Sequence, residues 1–161
     1  MAKEVENDVI EFTDEELYEA SVNARTNGLL DILTEDLGEE AQLSVGANGF
    51  PCIDAVIGGL SCKLSYFPVG DTDTDRFILM IRTAVLAGGE DADHTARLFA
   101  CESYNVGSVF GIAVFIPTDG SVEFRASFPE RGGMPTAEFY SFVFDMLISS
   151  VGELSELLEE I

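Results

Sequence analysis

The spacing of apolar residues divides the chain into helical and extended stretches. Over residues 135–161 apolar side chains recur at Phe139, Phe142, Val143, Met146, Leu147, Val151, Leu154, Leu157, Leu158 and Ile161. This is close to the three-and-four spacing of one long amphipathic helix. Two extended stretches precede it, 109–116 and 122–128. In the second, Val122, Phe124, Ala126 and Phe128 alternate with Glu123, Arg125 and Ser127, the period of a half-buried strand. Asp119-Gly120 supplies the turn between them.

Upstream, residues 50–57, 60–67 and 76–86 read as three more strands. Gly58-Gly59 marks a tight hairpin between the first two. Leu60, Cys62, Leu64 and Tyr66 alternate with Ser61, Lys63 and Ser65, so one face is buried and the other wet. The third strand is apolar on both faces apart from Arg82, which predicts a central position.

Local signals bound the helices. Thr13-Asp14-Glu15-Glu16 has the spacing of a capping box and an acidic first turn. A first helix is predicted over roughly 14–27, with Asn27-Gly28 as a stop or break and 29–37 as a second helix or a continuation. Asp91 or Asp93 caps a helix running to about Tyr104, closed by Asn105 and Gly107. Arg131-Gly132-Gly133 reads as a flexible joint, and Pro135 or Thr136 opens the last helix. The predicted order is α-βββ-α-ββ-α. Strand and helix do not alternate throughout, which argues for an α+β domain with an antiparallel five-stranded sheet over residues 13–161. Residues 1–12 are expected to form a flexible acidic tail.

Composition sharpens this reading. A hydrophobic content of 47% with 12 Phe supplies a packed core, so the charge does not signal disorder. That charge is −22, and residues 1–46 carry half of it, with 13 acidic and 2 basic side chains. Such a chain is repelled by nucleic acids and by anionic membrane surfaces. A basic protein partner is compatible with it, and so is a plain role in solubility. The first residues lack a basic region followed by an apolar run, and no apolar run reaches 18 residues. Neither a secretory leader nor a membrane span is expected, and the cytoplasm is the expected location. The three cysteines, Cys52, Cys62 and Cys101, are odd in number and sit in apolar surroundings, so they read as reduced small hydrophobes. One histidine and scattered cysteines do not make a zinc set, and no cofactor is expected.

Candidate chemistry is sparse. Asp71, Asp73 and Asp75 alternate as at the start of an EF-hand loop, but that loop needs Gly at its sixth position and Glu at its twelfth, where Arg76 and Arg82 stand. The segment therefore reads as a solvated loop. His94, the lone histidine, has no nucleophile elbow to serve and reads as a surface residue. The paired glycines form no phosphate loop. Arg82, Arg97 and Arg125 are expected to pair with nearby carboxylates, Arg125 in a surface ion pair.

The central strand 76–86, the helix ending in Tyr104-Asn105, the hairpin 110–128 and the helix 137–158 together resemble the fold of the class I type III secretion chaperones. They look closest to the YbjN-type family, named as putative bacterial sensory transduction regulators. In that family the helix before the hairpin ends in an Asn preceded by an aromatic, the place of Tyr104-Asn105. The likeness spans about residues 49–161; the N-terminal 45 residues and the acidity depart from it. It implies a small, non-enzymatic homodimer whose protein partner binds exposed sheet and helix surfaces. Tyr140 and Phe144 fall off the main stripe of the last helix, and with Val151 they are the candidate interface residues. The expected function is a protein-binding or chaperone-like regulatory module. The alternatives are a divalent-ion-dependent enzyme or a small-ligand sensor using an acidic cleft.

Overall fold

The computed structural model describes residues 11–70 and 75–161. Most of the expected acidic tail, and the aspartate-alternating segment up to Thr74, lie outside the described residues.

Helix α1 (Asp14–Asp31) starts at the expected box: the Thr13 amide donates to the Glu16 carboxylate at 2.7 Å, and the Glu16 amide donates to the Thr13 hydroxyl at 3.2 Å. It runs through Asn27-Gly28 instead of stopping there. A Cβ on Gly28 would stand 3.3 Å from Met134 Cγ, so the glycine serves close packing against the segment before the last helix rather than a turn. Residues Ile32–Asp36 continue the helix as one π-helical turn, closed by the Leu37 amide on the Ile32 carbonyl at 3.0 Å.

Six strands follow, against an expectation of five: β1 (Glu40–Val45), β2 (Pro51–Ile57), β3 (Leu60–Pro68), β4 (Arg76–Leu86), β5 (Ile112–Phe115) and β6 (Val122–Arg131). Helix α2 (His94–Gly107) lies between β4 and β5, and α3 (Ala137–Glu159) closes the chain. The additional strand is β1. Its sequence Glu-Ala-Gln-Leu-Ser-Val alternates polar with apolar residues, the period of a strand, but the run is short and none of its side chains is buried. Pairing with β2 holds it in the sheet, and Ala41 packs against the core beside the N-terminal helical segment. The sheet order is β1-β2-β3-β4-β6-β5, with every pair antiparallel. The strand expected to be central, β4, lies between β3 and β6. Gly58 and Gly59 have φ of 57° and 82°, the left-handed pair that closes a two-residue hairpin.

One face of the sheet carries the core. Ile53, Leu64, Leu79, Ile81 and Phe124 pack in one cluster with Leu29 and Leu33 of the N-terminal helical segment and with Val143, Leu147 and Leu154 of α3. Each such side chain contributes about 1.5–3 kcal/mol on leaving water.

Helix α3 is rotated from the expected stripe. It buries Tyr140, Val143, Phe144, Leu147, Val151, Leu154 and Leu158, and leaves Phe139, Phe142 and Ile148 exposed. Both sets keep helical spacing, so the apolar pattern alone does not choose between them. The choice is made by a polar group: the Tyr140 hydroxyl lies 3.0 Å from the buried carboxylate of Glu130 and 2.9 Å from the Tyr66 hydroxyl. Tyr140, Phe144 and Val151, taken above as interface residues, are therefore interior residues of the monomer.

Candidate functional site

The helices cover one face of the sheet and leave the other open. Along that open face the strand registers align Gln42, Asp54, Lys63, Arg82, Arg125 and Ile112 in a single row across all six strands. Three cations thus stand directly opposite one another on β3, β4 and β6, an arrangement that like-charge repulsion disfavours. Two carboxylates offset it. Lys63 Nζ is 3.2 Å from Asp54 Oδ1. Glu123 accepts from Arg82 Nη2 at 3.1 Å and from Arg125 Nη2 at 2.9 Å. Burial works to raise the Glu123 carboxyl, but hydrogen bonds from Arg125 and Arg82 outweigh it and hold the group below its ordinary range. The Lys63 ammonium is raised, first by its bond to Asp54.

A cavity of about 640 Å³ lies over the β1 side of this row. Val56, Ala84 and Ser61 line it beside Lys63 and Arg82, with Glu40, Asp54 and Glu123 as its acids. It is a mixed-charge concavity rather than the acidic cleft that the enzyme and sensor alternatives assume. Among the described residues no group of three or more His, Cys, Asp or Glu is placed to hold a metal ion.

The two sheet edges differ. At β5 the Asn105 side chain donates to the Ala113 carbonyl at 2.9 Å and accepts from the Ala113 amide at 2.7 Å, so α2 plugs that edge as a neighbouring strand would. At the other edge the Gly46 amide donates to the Phe50 carbonyl at 2.8 Å. By the alternation of an antiparallel ladder, the N–H and C=O groups of Ala41, Leu43 and Val45 then point away from β2. Leu43 and Val45 are also exposed. A second apolar surface lies around α2, where Leu98 and Phe99 are exposed, Val106 is 91% exposed and the following Val109 is fully exposed.

His94 is exposed, as expected, with its ring edge-on to Phe115 at 5.6 Å. Asp93, one of the two expected caps, accepts from the Ala96 amide at 3.0 Å. Arg97 donates to the carbonyls of Ala87 and Gly120 at 2.8 and 2.7 Å, tying the β4–α2 loop to the β5–β6 turn rather than pairing with a carboxylate. All three cysteines are buried thiols, and burial raises those of Cys62 and Cys101. Among the described residues no helix is long and apolar enough to cross a membrane. Sequence reasoning missed the charged row and the plugged edge. Lys63, Arg82 and Arg125 were each legible as wet-face residues, but their alignment depends on the registers of β3 with β4 and of β4 with β6, which no tight turn sets.

No protein-family model matches the chain, and no curated protein matches it in sequence. Among solved structures it is similar to a chain in "Structure of the HopA1-SchA Chaperone-Effector Complex". That match has 14% identity and a TM-score of 0.49, covering 90% of this chain and 99% of the other. It is also similar to a chain in "Crystal Structure of the ExsC-ExsE Complex", at 14% identity and a TM-score of 0.45 over 83% and 95% of the two chains.

Proposed function

We propose that this chain is a protein-binding, chaperone-like regulatory module that acts as a homodimer in the cytoplasm and not as an enzyme. The observation that carries the reading is the inequality of the two sheet edges. Asn105 seals one edge at Ala113, while the other presents outward backbone groups beside exposed Leu43 and Val45. An open edge with apolar side chains alongside it suits an extended segment of a partner added as a seventh strand. A net charge of −22 favours a basic segment. The apolar surface of Leu98, Phe99, Val106 and Val109 suits a second copy packed across a two-fold axis. Three unpaired, buried thiols suit a reducing compartment. The place of Asn105 after Tyr104 supports the YbjN-type relation, because it gives that residue pair a physical task.

Two measurements test the reading. Light scattering of the full chain at micromolar concentration is expected to give twice the monomer mass of 17.4 kDa, and Phe99→Asp with Val106→Asp to return it to one. A strict wild-type monomer would overturn the dimer. Leu43→Pro removes one outward N–H and keeps the β1–β2 ladder. A partner captured from the native host should bind wild type and not this variant; equal capture by both would overturn strand addition at β1.

A further inference from the structure

We propose that the open face of the sheet holds a second, separate site, for a short zwitterionic peptide with free termini of about three residues. The argument starts from the charges left over in the row. Arg82 engages Glu123 through Nη2 alone, so among the described residues its Nε and Nη1 have no hydrogen-bond partner. Glu123 is shared with Arg125 Nε and Nη2, so one carboxylate serves two guanidiniums. Lys63 is neutralised by Asp54. Toward the β1 end of the cavity, Glu40 makes no ion pair among the described residues.

An uncommitted guanidinium edge and an uncommitted carboxylate thus sit at opposite ends of one concavity of about 640 Å³. That size is within the range of small-molecule sites. The strands carrying Glu40 and Arg82 are β1 and β4, three spacings apart, and Glu40 lies two residues along the strand from Gln42, which shares the row of Arg82, so their backbones are about 16 Å apart. An extended tripeptide spans about 10 Å, and the remainder is within the combined reach of an arginine and a glutamate side chain, whereas a single amino acid does not reach both ends. Its carboxylate would meet Arg82 and its ammonium Glu40, over a floor of Val56, Ser61 and Ala84 that accommodates small side chains. Gln42, also in the lining, supplies an amide able to bond peptide groups.

Net charge favours a zwitterion over an anion. The lining holds Lys63 and Arg82 against Glu40, Asp54 and Glu123, so a simple carboxylate gains nothing from the whole site and a dipolar ligand gains at both ends.

Tri-alanine titrated into the full chain at constant ionic strength, followed by amide chemical shifts, tests the site. Saturable shifts are expected on β2, β3 and β4. Affinity should fall by about tenfold with C-amidated tri-alanine and with Arg82→Gln, and similarly with the N-acetylated peptide and with Glu40→Gln, the loss of one charge-assisted contact in each case. Both variants alter exposed side chains, and a thermal melt checks their fold. The absence of saturable shifts, equal binding of capped and free peptides, or acetate binding as well as tri-alanine would each overturn the proposal. These outcomes are independent of Leu43, Phe99 and Val106, so they leave the dimer and strand-addition readings untouched.

Discussion

Arg25 of α1 and Glu130 of β6 form a buried ion pair at 3.0 Å, with side chains only 6% and 1% exposed. Arg25 stacks over the Phe77 ring at 4.7 Å and donates to the carbonyls of Gly132 and Gly133. Glu130 also accepts from the hydroxyls of Tyr66 and Tyr140. Four residues from α1, β3, β6 and α3 therefore meet at one carboxylate, which orients both helices on the sheet. Arg25 Nε is the one buried side-chain N or O atom without a partner among the described residues. Removing one partner strands the other charge, so Arg25→Ala is expected to cost about 3–5 kcal/mol in urea unfolding. The double variant Arg25→Met/Glu130→Gln should recover part of that loss, because no uncompensated charge remains. A single-variant loss below about 1 kcal/mol would mean that the pair does not hold α1 in place.

Burial raises the Tyr66 hydroxyl well above the ordinary tyrosine value, and the neighbouring Tyr140 and Glu130 raise it further. Burial also raises Tyr140. The folded state thus keeps protons that the unfolded state releases, so stability is full below about pH 10 and falls as pH rises beyond it. Of the four tyrosines in the chain, these two should show no phenolate absorbance until the protein unfolds. Phenolate signal from all four in the folded state would contradict the closed network.

Asn105→Ala removes both bonds to Ala113 and leaves the β5 edge unpaired. A loss of about 1–3 kcal/mol is expected, with faster hydrogen exchange at the Ala113 amide. Unchanged exchange there would show that the edge is protected by something other than this side chain.

Gly111 has φ of 67°, and a Cβ on it would fall against the Phe124 ring and 2.8 Å from the Arg125 carbonyl. Gly111→Ala should destabilise by about 1–3 kcal/mol. Gly107, the last residue of α2, has open space around it and no positive φ. Gly107→Ala should stabilise by about 0.4–1 kcal/mol. The opposite signs, read from thermal melts, separate a conformational glycine from an incidental one.

The Glu123 carboxyl lies below its ordinary value of 4.5 when folded. Its contribution is present above that value and is lost as pH falls through the lower folded value. The stability difference between wild type and Glu123→Gln should be constant near neutrality and vanish on acidification below about pH 4.5. A difference that persists in acid would assign the effect to packing rather than charge.

By itself, the sequence determined whatever a few neighbouring residues settle. The Thr13–Glu16 box, the Gly58-Gly59 hairpin, the Asp93 cap, the apolar β4 and the α+β class follow from local φ preferences, capping bonds and apolar period. Tertiary structure decided the rest. Strand β1, with no buried side chain, is fixed by pairing with β2 and by contact with the N-terminal helical segment, and α3 took its rotation from Tyr140 meeting Glu130 across the core. Lys63, Arg82 and Arg125 fell into line because two antiparallel registers, β3 with β4 and β4 with β6, happen to align. The β5 edge is sealed where Asn105 reaches Ala113, while β1 at the other end of the sheet keeps outward backbone groups. Rotation, register and edge cover are relations between segments far apart in the chain, and their energies appear only once those segments touch.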